Sequence, residues 1–224
     1  MAKITKITKA SEYVNYLVKK DANFSVLFNL IGEISYRLDN DYYGFIIKTI
    51  IGQMLSNRVS DIISERLKGI CNTGKIDIKS MNEITISELK KIGLSYRKAQ
   101  CIIEFTKYFQ SRKITKSKFL KMSDEEIIKE ITYVNGLGNW TAKMFLLFVM
   151  GREDIIPFED TAYLQVFSWY NNLTKRPTKQ EILNESIKWS PYNSIIARYF
   201  YISLDSGLTK IPFSSYANKT NGVK

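Results

Sequence analysis

The stretch Val134-Asn135-Gly136-Leu137-Gly138-Asn139-Trp140-Thr141-Ala142, with Asp160 downstream, holds the residues whose types and spacing could do chemistry. Two glycines two apart, between one apolar helical stretch and the next, make a tight turn of exposed backbone amides. Amides at a helix N-terminus attract anions, because their N–H groups lack partners and the helix dipole adds positive charge. Any helix–turn–helix can use glycines in its turn, so on spacing alone both readings stand. Asp160 precedes the apolar run Tyr163 to Trp169, where an N-cap belongs. A carboxylate in a basic chain is also poorly placed to hold a polyanion, and well suited to stabilising positive charge that develops during a reaction. The two roles are compatible, since amides at a helix start favour an ionised carboxylate. Glu159 is the alternative, read more simply as a solvated neighbour.

Composition narrows the chemistry. Lys and Arg outnumber Asp and Glu by 33 to 22, a formal charge of +11 that favours a polyanionic partner such as nucleic acid. The chain has no His, which removes His general bases, triads and His-containing zinc sites. Two cysteines, Cys71 and Cys101, are too few for a four-Cys iron–sulfur cluster or zinc site. Carboxylates, Lys, Tyr and backbone dipoles remain. Sparse thiols fit a reducing, cytoplasmic compartment: bacterial cytosol and nucleoid, or the nucleus of a eukaryote. Met1 to Lys9 lacks the apolar run of a signal peptide, and no segment approaches a membrane span.

The elements that must position these residues read as helices. Apolar residues recur at helical spacing, and Thr85-Ile86-Ser87-Glu88, Ser123-Asp124-Glu125-Glu126 and Thr178-Lys179-Gln180-Glu181 fit the capping box. Gly93 and Gly151 mark helix C-termini, and Ser190-Pro191 reads as an N-cap with proline at the first helical position. Tyr42 to Ile70 carries an amphipathic pattern interrupted near Gly52 to Asn57, which predicts two helices with a bend. About nine or ten short helices are expected, an all-α fold, with a polar, frayed tail from Ser214 to Lys224.

Gly136-Leu137-Gly138-Asn139-Trp140-Thr141-Ala142 with Pro157-Phe158-Glu159-Asp160-Thr161 resembles the helix-hairpin-helix (HhH-GPD) superfamily of DNA glycosylases, with their Gly/Pro-rich loop and catalytic Asp. Ile51-Gly52-Gln53-Met54-Leu55-Ser56 is similar to a helix end of the alkylated-base (3-methyladenine glycosylase II) branch, and Gly93-Leu94-Ser95-Tyr96-Arg97-Lys98-Ala99 to a helix start. The resemblance implies two helical lobes with the active site in the cleft between them: residues 1–43 with 131–224, and a middle lobe of 44–130. It implies no N-terminal β-domain in a chain of this length. Asn135 stands where the family usually has Pro, and Asn tolerates turn geometry.

Site roles follow from the resemblance. Asp160 becomes the catalytic carboxylate. The amides of Gly136, Leu137 and Gly138 would hold a backbone phosphate, and the carbonyls of Thr132, Val134 and Leu137 a Na+ or K+ ion; no other cofactor is implied. Met54, after Gln53, falls at the wedge position that fills the gap left by a flipped base, with Leu55 as substitute; a Met on an apolar helix face is equally a core residue. Trp140 matches a pocket position, Tyr192 replaces a stacking Trp, and Met144 stands where the branch has another pocket aromatic. Members that also cut the backbone place a Lys nucleophile where this chain has Trp140, and an indole cannot form a Schiff base. Lys143, three residues on, stays as an alternative. Arg58, Arg97, Lys98 and Lys143 are candidate phosphate contacts or solvated charges, and Trp169, Tyr199, Phe200 and Tyr201 are expected in the core. The implied activity is hydrolytic excision of alkylated purines from double-stranded DNA by a monomer that acts away from membranes. A same-fold enzyme for uracil, thymine mismatches or oxidised guanine, or a non-catalytic nucleic-acid-binding protein, are the alternatives.

Overall fold

The computed structural model describes residues 4–221. In chain order, strand β1 (Ile4–Ile7), helices α1 (Glu12–Lys20) and α2 (Ala22–Ile31) and strand β2 (Ile34–Arg37) come first. They are followed by α3 (Tyr42–Gly52), α4 (Asn57–Ile70), α5 (Ile78–Glu83), α6 (Ile86–Lys91), α7 (Tyr96–Ser111), α8 (Lys116–Leu120) and α9 (Asp124–Thr132). Next is α10 (Asn139–Phe145), extended by a π-helical turn Leu146–Met150. Last come α11 (Thr161–Tyr170), α12 (Lys179–Ser186), α13 (Asn193–Asp205) and α14 (Phe213–Asn221). The fold is all-α apart from β1 and β2, which pair antiparallel with Ile4 opposite Arg37. Among the described residues no helix is long and apolar enough to cross a membrane.

All three sequence-predicted capping boxes form, on Thr85 with Glu88, Ser123 with Glu126 and Thr178 with Glu181. Each is an exchange between residues three apart, so local sequence suffices to specify it. Gly93 (φ 109°) and Gly151 (φ 67°) adopt positive φ where helices end. The bend between α3 and α4 is also present.

The chain packs as two compact units: residues up to Leu38 with those from Gly151 onward, and Asp39–Met150. The expected boundaries are therefore displaced: α10 belongs to the middle unit, not to the unit of the chain ends. The reason is packing, since Phe145 lies against Phe45 and Phe119 (ring centroids 6.2 and 4.8 Å). Around them Tyr43, Phe105 and Phe109 pack within 5.6 Å of one another, with Phe105 and Phe109 one helical turn apart on α7.

In the unit of the chain ends, α13 is buried nearly all round, as a central helix must be. Tyr163, Phe167 and Tyr170 of α11 close on Phe200 and Trp189, all essentially inaccessible. Buried Asp21 accepts from the Tyr170 hydroxyl (2.8 Å) and from Trp189 Nε1 (2.7 Å), so both of these polar atoms are satisfied inside the aromatic core.

Fourteen α-helices are present among the described residues, more than the reading of periodicity counted, because several span two turns or fewer. The four-residue strands escaped that reading because so short a run carries no decisive period. Ser190-Pro191 is a cis peptide ahead of α13, which starts at Asn193, so Pro191 is not its first residue. Asp154 sets that start, accepting from Asn193 N (3.2 Å), Asn193 Nδ2 (2.6 Å) and Ser190 Oγ (2.6 Å). The expected frayed tail is helix α14 as far as Asn221, docked by Phe213 on Trp169 and Tyr170 (both 4.9 Å); residues 222–224 lie outside the described residues.

Candidate functional site

The hairpin is held from two sides within the middle unit. Gly136 takes φ 96° and approaches α7 so closely that a Cβ there would lie 3.0 Å from Cys101 Sγ. Only glycine meets both conditions without displacement. Its carbonyl accepts from Gln53 Nε2 at 3.2 Å, which ties the hairpin to the end of α3. Burial pushes the Cys101 thiol up to about 11, first by desolvation and then through the charge of Glu104, so this sulfur is packing and not a nucleophile.

Gly138 is the N-cap of α10 and has open space where a Cβ would stand. Among the described residues the amides of Gly136 and Gly138 make no backbone hydrogen bond outside the helices, whereas the Leu137 amide closes a turn onto the Val134 carbonyl at 3.1 Å. The Leu137 side chain is buried. Of the three amides expected to face an anion, Leu137 is thus already engaged. The carbonyls of Thr132 and Leu137 accept no backbone hydrogen bond outside the helices among the described residues, and that of Val134 holds one. Neutral carbonyl oxygens of this kind suit a hard monovalent cation.

At the end of α3 the chain turns sharply. Met54 adopts φ 57° and is fully exposed, followed by Leu55 at 38% exposure. A methionine held out of every core is a different object from one on a packed helix face, and the core reading of Met54 is excluded. Gln53, Met54, Arg97, Lys98, Cys101 and Gly136 line an open depression of about 510 Å³. Arg97 is exposed here and Arg58 is exposed at the start of α4, while Lys98 is half-buried and turned inward onto the carbonyls of Ile51 and Gln53. The surface-charge reading of Lys98 therefore fails: its ammonium serves the protein's own backbone.

On α10, Trp140 and Lys143 are half-buried and Met144 is buried at 6% exposure. Tyr192 belongs to the other unit, half-buried and held edge-on by Tyr13 (5.9 Å) and Tyr16 (5.3 Å) of α1. Tyr16 also donates to the Ser190 carbonyl at 2.6 Å, which fixes the turn that carries Tyr192.

Asp160 is the N-cap of α11, its Oδ1 accepting from the Tyr163 amide at 2.8 Å, and its own amide donates to the Pro157 carbonyl at 2.9 Å. The hydroxyl of Tyr201, on α13, hydrogen-bonds to the same carboxylate. Burial first, then the charge of Asp160, raises the Tyr201 pKa well above the ordinary tyrosine value, so this hydroxyl stays a proton donor. Sequence reading placed Tyr201 in the core by helical spacing, which is right for its neighbours Tyr199 and Phe200. No local signal marks the difference, because its partner lies outside its own helix, at the head of α11.

A model of the HhH-GPD superfamily of base excision DNA repair proteins matches residues 47–191. DNA-3-methyladenine glycosylase 1 of Schizosaccharomyces pombe is 27% identical over 205 residues, 88% of each chain. The solved structure of the 3-methyladenine DNA glycosylase of the same yeast, in complex with abasic DNA, superposes with a TM-score of 0.76 at 26% identity, covering 85% of this chain and 95% of that one. A DNA-3-methyladenine glycosidase from Bacillus halodurans shares the fold, with a TM-score of 0.79 at 20% identity over 89% and 92% of the two chains. With the hairpin, the capped Asp160 and a family match that spans most of the chain, this protein belongs to the HhH-GPD superfamily of base excision DNA repair proteins.

Proposed function

We propose that this chain is a monofunctional DNA glycosylase that flips alkylated purines of the 3-methyladenine kind out of double-stranded DNA and excises them by hydrolysis. The observation that carries the reading is Asp160, held as the cap of α11 and hydrogen-bonded by Tyr201 in a chain of this superfamily. Relatives named DNA-3-methyladenine glycosylase, and a structural neighbour bound to abasic DNA, support the alkylated-base assignment.

The chemistry asks little of the protein beyond placement. Alkylation at a ring nitrogen leaves the purine cationic, so when the C1′–N bond breaks the electron pair returns to the base and it departs neutral. The positive charge left on the sugar is stabilised by the fixed carboxylate of Asp160. Water adds at C1′ and gives up a proton, leaving an abasic site. Trp140 supplies a ring face on which an electron-poor base stacks, worth about 1–3 kcal/mol per stacked base; Tyr192 is the stacking residue that the family resemblance implies within the unit of the chain ends. Met144, an aliphatic side chain at a position the branch fills with an aromatic, tunes which bases are taken.

Binding positions the duplex without reading its sequence. The amides of Gly136 and Gly138 hold a phosphate, with Na+ or K+ on the carbonyls of Thr132, Val134 and Leu137, and Arg58, Arg97 and Lys143 contribute charge. Met54 enters the stack where the base has left, with Leu55 beside it. Trp140 supplies no amine for a Schiff base, so strand cleavage is not part of the reaction and borohydride traps no adduct; a trapped adduct would implicate Lys143. The protein acts as a monomer.

Chromatography of bases released from methylated duplex DNA tests the reading. Wild type is expected to release methylpurines, and Asp160→Asn to lose turnover about 100-fold or more while still binding duplex. Equal release by both proteins would remove Asp160 from the chemistry. No release by either would turn the assignment toward deaminated or oxidised bases.

A further inference from the structure

The side chain of Met54 makes no packing contact that could hold the bend displaying it. Met54 is fully exposed and sits at φ 57°, a conformation disfavoured for any residue with a Cβ. Hydrogen bonds fix the backbone on either side of it. Lys98 Nζ donates to the carbonyl of Ile51 at 2.8 Å and to that of Gln53 at 2.6 Å, immediately before Met54. These are carbonyls at the C-terminus of α3, where no further turn of helix supplies donors and positive charge is favoured. Gln53 Nε2 donates onward to Gly136, and the Leu55 amide closes the turn onto Gly52 at 3.0 Å. The start of α7, the end of α3 and the hairpin are thus linked through one ammonium and its neighbouring amide. Burial lowers the pKa of Lys98, a desolvation cost that a surface lysine would not carry.

We propose that Lys98 is a positioning residue for base flipping: clamped on the Ile51 and Gln53 carbonyls, it holds the left-handed turn that projects Met54 into the stack and keeps that turn in register with the phosphate-binding hairpin. The inference rests on Met54 being the wedge, and it assigns Lys98 to neither phosphate binding nor the bond-breaking step. A wedge matters only where the damaged base must be drawn out of a pair, so its support is dispensable when the base is already unpaired.

Single-turnover excision is measured on a methylated purine in a normal pair and on the same purine unpaired in a bulge, beside the salt dependence of binding to undamaged duplex. Lys98→Met and Met54→Ala are each expected to slow excision from the paired site about tenfold or more, and to come within about threefold of wild type on the bulge. Lys98→Arg, which keeps donors in reach of the carbonyls, is expected to restore most of the paired-site rate. The salt slope of Lys98→Met should match wild type. Impairment by Met54→Ala but not by Lys98→Met would overturn the clamp and leave the wedge standing. No impairment by either would remove the wedge itself. Equal loss by Lys98→Met on paired and bulged sites would make Lys98 a general structural residue, and a salt slope reduced by about one would make it a phosphate contact. Thermal melts monitor folding, and Lys98→Gln, shorter but still a donor, is scored in the same assay should Lys98→Met not fold.

Discussion

Asp160 draws its geometry from two donors of different origin. The Tyr163 amide lies three residues away and belongs to an N-cap visible in the sequence; the Tyr201 hydroxyl comes from α13 and is visible only in the fold. A hydrogen bond to a charged acceptor is worth more than a neutral one and restricts where the carboxylate can turn. Tyr201→Phe removes that donor with almost no change in volume. Single-turnover excision is expected to fall by about five- to tenfold, with duplex affinity and melting temperature nearly unchanged. A parallel loss of affinity would instead place Tyr201 in DNA binding. Lys98 teaches the same lesson from the opposite direction. The Gly-x-x-x-x-Lys-Ala pattern singled it out, but its partners lie 45 and 47 residues earlier, so a phosphate contact and an internal clamp could not be told apart without the fold.

The helix-hairpin-helix element was legible as an element, from glycine spacing between two apolar periodic runs. Which glycine does what was not. Gly136 is required by positive φ and by contact with Cys101, whereas nothing lies within 4 Å of the place a Cβ would take on Gly138. Gly136→Ala is therefore expected to destabilise the protein by about 1–3 kcal/mol, read as a lowered melting temperature. Gly138→Ala should cost under about 1 kcal/mol as a change of N-cap, yet weaken duplex binding, because its methyl group occupies the surface a phosphate approaches. Melting temperature and duplex affinity, measured on both variants, separate the two roles; identical behaviour would deny them. The missed strands β1 and β2 show the limit of period counting, since each has four residues and its hydrogen-bond partner is remote in sequence.

At the scale of the whole molecule, charge and buried hydroxyls make two separate demands on conditions. A net +11 and the amides at the hairpin predict counterion release on binding, so duplex affinity should fall about tenfold or more between roughly 50 and 200 mM salt. Titration of a labelled duplex checks this, and an affinity indifferent to salt would count against a phosphate-held complex. Tyr43, Tyr163, Tyr170, Tyr199 and Tyr201 all have pKa values raised by burial. Their stabilising contribution is complete below the unfolded tyrosine value of about 10 and is lost as pH rises above it, because only the unfolded chain can then release those protons. The urea midpoint should hold between about pH 7 and 9 and fall steeply by about pH 11; a flat profile would show the hydroxyls to be solvated.

Asp160 as a helix cap, the glycine hairpin, three capping boxes, the bend after α3 and the exclusion of His and cluster chemistry were all present in the sequence. Each depends on residues within a turn or two of one another, or on composition alone. The membership of α10 in the middle unit and the partners of Lys98 and Tyr201 were decided by tertiary structure. In each of these a side chain meets a group whose position depends on how the chain packs in three dimensions, and no local pattern encodes that placement.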